Sequence, residues 1–313
     1  FVWHNTVLLC RYGICMKGLF FMLLNAALKE YLLECELRNY TEKTIKGYRN
    51  SIELLVNYLQ QNGITDVDEV LPAHIKHFLT NLQRAGRKPS YINGLHKAFR
   101  AWFKYLQEEE YVSANPMNKI GWAKEEKIVI KTFTPAEVQA MLNAYPEKEY
   151  MDVRNKTILA LLFDTGIRCS ELCNLMQSDV DKERFRIYGK GRKERYVAQS
   201  PYMKKLLLHY KEYRDYYFEY RSVPDNLFLS RTGRPLTTVA VERIVRIAGE
   251  RAKVRKSIRC SPHTCRHFFS QAQLKNGNDV YSLSRLLGHS NIKTTNRYLQ
   301  GMNDAEIVKA SVK

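Results

Sequence analysis

The sequence predicts a mainly α-helical protein with one small antiparallel β-sheet, divided into two domains. Its 313 residues exceed the length of most single domains. From about residue 25 to residue 111 the apolar residues recur at helical spacing between Gly and Pro breaks. Residues 185–197 instead alternate apolar and polar side chains around a glycine-rich turn, which is typical of a β-hairpin.

Residues 1–24 are predicted to be an extension upstream of the folded protein. The apolar run Gly18–Leu24 resembles the core of a signal peptide, but it is too short to span a bilayer. It continues directly into the amphipathic pattern that begins near Leu28, so we interpret it as the start of a helix, with Met16 or Met22 as a natural start of translation. No other segment is long and apolar enough to cross a membrane, and we expect no membrane partner.

The first domain, residues 25–115, is predicted to be a bundle of four helices. Its breaks fall at Gly63, Pro72, Gly86 and Pro89. Basic residues that could contact DNA phosphates along these helices are Lys43, Lys46, Arg49, Arg84, Arg87, Lys88, Lys97 and Arg100. The alternative is an ordinary solvated helix face.

The helical periodicity fails over residues 116–132, which contain helix breakers and a run of charges, so we predict an interdomain linker there. The second domain, residues 133–313, opens with a helix signal. Thr134 is a good N-cap, Pro135 suits the first helical position, and Glu137 completes a capping box.

The predicted hairpin of the second domain has a basic tip, in which Arg192 and Lys193 are candidate DNA contacts. Ser200 then begins a long helix. Its tyrosines could form a platform for base stacking or could pack and cover the surface; they are Tyr210, Tyr213, Tyr216, Tyr217 and Tyr220. Aromatic residues at helical spacing usually serve a core, so we favour packing and surface roles.

Composition narrows the class of partner. Lys and Arg number 50 against 32 Asp and Glu, and the formal net charge of +18 favours a polyanion such as nucleic acid. A basic protein without such a partner is the alternative. The seven cysteines are odd in number and scattered, which fits a reducing cytoplasm better than a disulfide framework. Cys260, His263, Cys265 and His267 could suggest zinc, but no C-x-x-C pair is present, so we expect no metal.

Four short segments of the second domain are of chemical interest. They are Thr165–Leu172, Gly189–Arg195, Pro262–His267, and Leu286–His289 followed by Thr294–Tyr298. Each has an ordinary explanation by itself: an Arg–Glu pair on a helix, a basic turn, a structural histidine, and one of 20 tyrosines. Only their combination is informative.

In order, residue type and approximate spacing, the four segments together resemble the catalytic boxes of the tyrosine site-specific recombinases, the family of Xer recombinases and phage-type integrases. The resemblance covers residues 25–313. It implies a helical DNA core-binding domain over residues 25–115 and a mixed α/β catalytic domain over residues 133–313.

The resemblance implies a set of residues around a scissile phosphate. Arg168 and Arg266 match the arginine pair that grips the phosphate with planar forks. His289 would add a hydrogen bond to the phosphate, and His263 would take the proton of the nucleophile. Glu171 matches a supporting acidic position that orients Arg168 or a neighbouring histidine.

The resemblance also implies the nucleophile and the general acid. Tyr298 would attack the phosphate, giving a 3′-phosphotyrosyl link and a free 5′-hydroxyl. Lys190 matches the hairpin lysine that protonates the leaving 5′ oxygen, with Lys193 as its rival. Because the covalent link keeps the energy of the broken bond, we expect no ATP and no other cofactor. The sequence has neither a P-loop nor an acidic cluster of the two-metal nuclease kind.

The partners implied are double-stranded DNA with a specific recombination site and further subunits of a homo- or heteromeric tetramer, joined through the C-terminal tail, residues 299–313. The alternative is that the tail packs on its own domain. Two other functions use related features: a type IB topoisomerase, and a regulator that binds DNA without cutting it. The helical first domain argues against the topoisomerase, and the complete set of catalytic residues argues against the regulator.

Overall fold

The computed structural model describes residues 22–126, 131–189, 194–289, 291–292 and 294–296. The chain divides into two compact units, Phe1–Glu126 (unit 1) and Lys127–Lys313 (unit 2), each with its own apolar core. The described part is mainly helical and contains a sheet of two antiparallel strands, which confirms the predicted fold class. Most of the predicted upstream extension, residues 1–21, lies outside the described residues.

Unit 1 is a bundle of helices. Its elements are α1 (Leu24–Leu37), α2 (Glu42–Gln61), α3 (Pro72–Arg84), α4 (Pro89–Glu108) and a 3₁₀ turn (Pro116–Lys119). Both α3 and α4 begin with proline, whose fixed φ suits the first helical position. In α4, Leu95, Phe99, Trp102 and Leu106 recur at spacings of three and four and are buried, so this stripe faces the core.

Two boundaries of unit 1 differ from the sequence prediction. Leu24, predicted as the end of the upstream extension, begins α1 and is fully buried, and Met22 packs against the same core. In the first part of the predicted linker, Met117 and Ile120 belong to the core of unit 1, and the Ile120 carbonyl lies 3.0 Å from Nε2 of His96. These apolar residues are isolated in the sequence and show no periodicity, yet the end of the bundle offers them an apolar surface.

Unit 2 is built around one central helix. Its elements are α5 (Pro135–Leu142), α6 (Tyr150–Thr165), α7 (Cys169–Cys173), a 3₁₀ turn (Gln177–Asp179), β1 (Arg184–Tyr188), β2 (Glu194–Ala198), α8 (Pro201–Tyr217), α9 (Thr238–Arg251), α10 (Pro262–Lys275) and α11 (Val280–Leu287). In α6, Ile158, Leu159, Leu161 and Leu162 are all fully buried, although they point in different directions around the helix. Helices α5, α8, α9 and α10 accordingly pack against α6.

The local predictions for unit 2 are confirmed. The backbone N–H of Thr134 donates to Glu137 Oε2 at 2.8 Å, and that of Glu137 donates to Thr134 Oγ1 at 3.2 Å, which completes the capping box. The hairpin pairs β1 with β2 in antiparallel register, with Phe185 opposite Val197. Phe185 and Val197 are buried, as the alternation of apolar and polar residues requires.

The tyrosines of α8 divide between packing and surface, as predicted. Tyr210 is fully buried and its hydroxyl donates to the Leu227 carbonyl oxygen at 2.7 Å. Tyr217 stacks on Tyr150, whereas Tyr216 is 82% exposed. Within the described ranges no helix has the length and apolar character needed to cross a bilayer.

Candidate active site

Three arginines from separate elements of unit 2 meet at the C-terminal end of α11. Each of three successive carbonyl oxygens there accepts a hydrogen bond from a different guanidinium. The pairs are Arg195 Nε with Leu286 at 2.9 Å, Arg266 Nη2 with Leu287 at 2.6 Å, and Arg168 Nη2 with Gly288 at 3.0 Å. The last carbonyls of a helix lack partners within the helix and form the negative end of its dipole, so this end of α11 attracts cations.

Arg266 joins the ends of two helices. Its side chain projects from α10, is almost fully buried, and also donates through Nη1 to the Gly166 carbonyl oxygen at 2.6 Å. Gly166 ends α6 in the left-handed conformation, with φ of 59°, and a Cβ there would lie 2.4 Å from the Phe269 ring. The glycine therefore lets the chain turn tightly into the segment that contains Arg168.

Glu171 is the carboxylate of the cluster. Its side chain is 6% exposed; Oε1 accepts from Arg168 Nη1 at 2.8 Å, and both carboxylate oxygens accept from Arg195, at 2.9 and 2.6 Å. Burial raises the pKa of Glu171, but the hydrogen bonds and charge of Arg195, together with the hydrogen bonds from Arg168, outweigh it, so the pKa lies below its ordinary value. Three guanidiniums and one carboxylate give these four side chains a net charge of +2 (3 − 1).

His289 follows the three carbonyls directly and lies among the arginines. Its Nε2 is 3.1 Å from Arg266 Nη2, and its Nδ1 is 2.8 Å from Thr295 Oγ1. Because a guanidinium can only donate, Nε2 accepts and Nδ1 holds the proton in the neutral ring. Burial, and then the charges of Arg266, Arg168 and Arg195, lower the pKa of His289 to about 4.

His263 lies in the first turn of α10, one turn before Arg266. It is exposed, and its ring meets that of His267 edge to face with centroids 4.2 Å apart. Ser261 caps this helix by accepting from the Thr264 backbone N–H at 3.3 Å. An exposed imidazole at a helix N-terminus can exchange protons with a bound substrate.

Two residues of this cluster were missed by sequence reasoning. Arg195 was noted only as part of a basic turn, and Thr295 was not singled out. Arg195 had a detectable signal, because it pairs with buried Ile187 in the hairpin register and lies two residues before buried Val197, on the same face of the strand. An arginine at a core-facing strand position requires a buried acidic partner. Thr295 gives no comparable signal in the sequence.

The candidate DNA contacts of unit 1 are accessible. The eight basic residues named there are all exposed: Lys43, Lys46, Arg49, Arg84, Arg87, Lys88, Lys97 and Arg100. Within the described residues none of these eight forms a salt bridge. The candidates Lys190, Arg192, Lys193 and Tyr298, and the C-terminal tail, lie outside the described residues.

The zinc alternative has no geometric support in the part of the chain that the structure describes. There, no group of three or more His, Cys, Asp or Glu side chains is arranged to hold a metal ion. Cys265 is fully buried in the core of unit 2, and burial raises the pKa of its thiol well above the ordinary value.

Relatives of the chain are known along most of its length. The profile of the N-terminal SAM-like domain of phage integrases matches residues 27–113. Tyrosine recombinase XerC of Bacillus licheniformis is 31% identical over 272 residues, which cover 85% of this chain and 88% of the relative. Tyrosine recombinase XerC of Bacillus subtilis is 29% identical over 265 residues, covering 83% and 86%.

Two solved structures share the fold. XerH site-specific recombinase, in a post-cleavage complex with a palindromic difH substrate, gives a TM-score of 0.74 at 19% identity and covers 91% of this chain and 83% of that one. A lambda integrase tetramer bound to a Holliday junction gives 0.70 at 16% identity, covering 91% and 80%. The profile of the phage integrase family matches residues 131–304, more than half of the chain. The chain therefore belongs to the phage integrase family and is a tyrosine site-specific recombinase.

Proposed function

We propose that unit 2 cuts and rejoins DNA with Tyr298 as the nucleophile, at a phosphate bound by Arg168, Arg266 and His289. The observation that supports this assignment most directly is the cluster at the end of α11, in which three guanidiniums and one carboxylate surround His289. Their excess positive charge suits a phosphodiester. We infer that the bound group is a phosphodiester from the family and from this charge.

The two proposed phosphate ligands differ in what holds them. Arg266 is buried and its fork is fixed by neutral carbonyl acceptors, so these bonds leave its charge uncancelled. The side chain of Arg168 is 36% exposed and can reach a substrate. A phosphodiester with one negative charge gains a second as the phenolate oxygen bonds to phosphorus. A site of charge +2 in a partly buried setting binds that doubly charged state more tightly than the substrate.

The remaining roles concern protons and the nucleophile. Tyr298 follows Thr295 by three positions in the sequence, and the Thr295 hydroxyl is hydrogen-bonded to His289. The tyrosine oxygen bonds to phosphorus and its proton passes to a base, for which we propose His263. The bond from phosphorus to the 5′ oxygen breaks, and Lys190 supplies the proton to that oxygen.

Rejoining needs no external energy in this scheme. The phosphotyrosyl link replaces the broken phosphodiester, and attack by a 5′-hydroxyl reverses the step with the same groups. One phosphoester link replaces another at each step, so the proposed cycle needs no ATP.

Unit 1 and the tail are proposed to hold the DNA and the other subunits. Six exposed basic residues on unit 1 can neutralise phosphates; they are Lys43, Lys46, Arg49, Arg87, Lys88 and Arg100. Arg192 and Lys193 would contact DNA from the hairpin. We propose a tetramer on a specific DNA site, joined through residues 299–313, in an Xer-like or mobile-element system in the cytoplasm. The similar lambda integrase structure is itself a tetramer on a Holliday junction, which supports this arrangement.

A nicked duplex tests the assignment of the nucleophile. A binding site is first selected from a pool of random duplexes, and a nick is then placed beside the scissile phosphate so that the short 5′-hydroxyl fragment diffuses away. The wild-type protein should accumulate a covalent adduct in buffer containing a chelator and no ATP. Tyr298→Phe should bind the duplex with unchanged affinity and give no adduct.

The matched control is Tyr220→Phe, which removes the hydroxyl of a residue that is 91% exposed and should leave the adduct yield unchanged. Binding without any adduct in the wild type would identify a regulator. Relaxation of supercoils without exchange between two sites would identify a topoisomerase.

A further inference from the structure

We propose that Arg195 is a positioning residue that fixes the β1–β2 hairpin, and with it Lys190, relative to the two phosphate-binding arginines. The inference deepens the proposed function and rests on the assignment of Lys190 as the general acid. Arg195 itself need not touch the DNA.

The Arg195 side chain is held in a fixed geometry. Two of its nitrogens donate to the two oxygens of Glu171, at 2.9 and 2.6 Å, and Nε donates to the Leu286 carbonyl at 2.9 Å. The side chain is 9% exposed, so solvent competes little for these bonds. A planar fork with three bonds in different directions allows a single orientation, which a lysine cannot reproduce.

Arg195 lies near the end of the strand pairing between β1 and β2. It pairs with Ile187, and the next pair, Tyr188 with Glu194, is the last before the connecting segment 189–193. Lys190 belongs to that segment. Holding Arg195 therefore holds the strand pairing one register pair before this segment of the sequence.

Arg195 and Arg168 are bound to the same carboxylate and to the same end of α11. Both donate to Oε1 of Glu171, and their other bonds go to carbonyls two residues apart, on Leu286 and Gly288. A Cβ added to Gly288 would lie 3.0 Å from Nη1 of Arg195, so the glycine admits this close approach. A displacement of Arg195 would therefore move the hairpin relative to the phosphate site.

A substrate with sulfur in place of the bridging 5′ oxygen isolates this role. A thiolate leaves phosphorus without being protonated, so cleavage of this substrate does not need the general acid. Arg195→Gln should cleave the oxygen substrate at least about 100-fold more slowly than the wild type, since a general acid contributes roughly 10²- to 10⁴-fold. It should cleave the sulfur substrate within about tenfold of the wild-type rate.

Three comparisons make the result specific. Lys190→Ala should show the same rescue by sulfur, whereas Arg168→Ala should be slow on both substrates. Arg186→Gln is the matched control, because Arg186 lies in the same hairpin, one register pair away from Ile187, and binds Asp179 at 3.1 Å. The ratio of the cleavage rates of the sulfur and oxygen substrates should be the same for Arg186→Gln as for the wild type.

The outcomes separate this inference from the proposed function. If the wild type forms no adduct, or Lys190→Ala is not rescued by sulfur, the proposed function or its general acid is wrong. If Lys190→Ala is rescued and Arg195→Gln is equally slow on both substrates, Arg195 acts on the phosphate and the positioning role is overturned.

Arg195→Lys keeps a charge beside Glu171 and provides a second variant. Thermal unfolding showing that neither variant is folded would make Arg195 structural only, and would also overturn the inference.

Discussion

At the scale of single residues, the site combines a neutral histidine with strongly charged neighbours. His289 cannot become protonated easily while Arg266 donates to its Nε2 and two further guanidiniums lie close by. In this state Nε2 has no proton to give to a phosphate. A bound phosphodiester adds negative charge and raises the pKa of His289, so substrate binding itself would enable the histidine to donate.

The low pKa of His289 predicts a defined pH dependence of stability. The ring takes up a proton near its ordinary pKa of 6.5 in the unfolded chain, but only near pH 4 in the folded protein. Between these values the unfolded state binds the extra proton, so the free energy of unfolding should decrease as pH falls from 6.5 towards 4. The contribution of His289 to the free energy of unfolding is fully present above pH 6.5. Histidine NMR titration of the DNA-free protein should show one ring that remains neutral until about pH 4.

The control for this titration is His289→Gln, which should lack that resonance and should lose less stability between the two pH values in urea unfolding. A His289 resonance that titrates near 6.5 would show that the guanidiniums do not act on the ring as described.

At the scale of elements, the site is built on the ends of helices. The C-terminal carbonyls of α6 and α11 both face Arg266, and the same end of α11 also binds Arg168 and Arg195. Both helices end in a glycine with positive φ, Gly166 and Gly288. A left-handed terminal residue turns the chain sharply and leaves the preceding carbonyls open to the arginines.

Gly166→Ala should destabilise unit 2 more than a left-handed conformation alone explains. The added Cβ would lie 2.4 Å from the ring of buried Phe269, so overpacking adds to backbone strain. We expect a loss of about 2–5 kcal/mol in the free energy of unfolding, measured in urea.

Gly277→Ala is the matched control for this substitution. Gly277 also has positive φ, but nothing lies within 4 Å of its added Cβ, so the expected loss is only about 1–2 kcal/mol from backbone strain. Equal losses for the two variants would mean that Phe269 moves aside at little cost.

At the scale of the whole molecule, the two units have separate cores and separate proposed tasks. Unit 1 has exposed basic residues, and unit 2 has the buried cluster of guanidiniums. Exposed cations can bind the DNA backbone by releasing counterions, whereas the partly buried cluster is proposed to act on one phosphate. Affinity and cleavage should therefore respond to different substitutions.

Salt dependence tests the role of unit 1. Affinity for duplex DNA should fall by roughly a thousandfold or more between low and moderate salt, if six or more phosphates are contacted. The triple variant Lys43→Gln, Lys46→Gln, Arg49→Gln should reduce the slope of log affinity against log salt by about three, measured by fluorescence anisotropy. Lys104→Gln is the control, since Lys104 is exposed but paired with Glu108 at 3.2 Å. An unchanged slope in the triple variant would exclude this face of α2 from the DNA interface.

The elements that the sequence predicted are those with local signals. The capping box of Thr134 and Glu137, the breaks between helices at Pro72 and Pro89, and the alternation of the hairpin all depend on residues within a few positions of one another. Leu24, Met117 and Ile120 were placed outside the folded domain because their burial depends on helices far away in the sequence.

The amino-acid sequence by itself determined the helical class, the hairpin, the excess of positive charge and the recombinase boxes, because each is recorded in residue type and short-range spacing. Only the tertiary structure decided that Arg168, Arg195 and Arg266 each donate a hydrogen bond to one of three successive carbonyls at the end of α11. It also decided that Glu171 binds Arg168 and Arg195 at the same time. The physical reason is that these partners lie up to 120 residues apart, and a hydrogen bond to a backbone carbonyl requires no particular side chain at the accepting position.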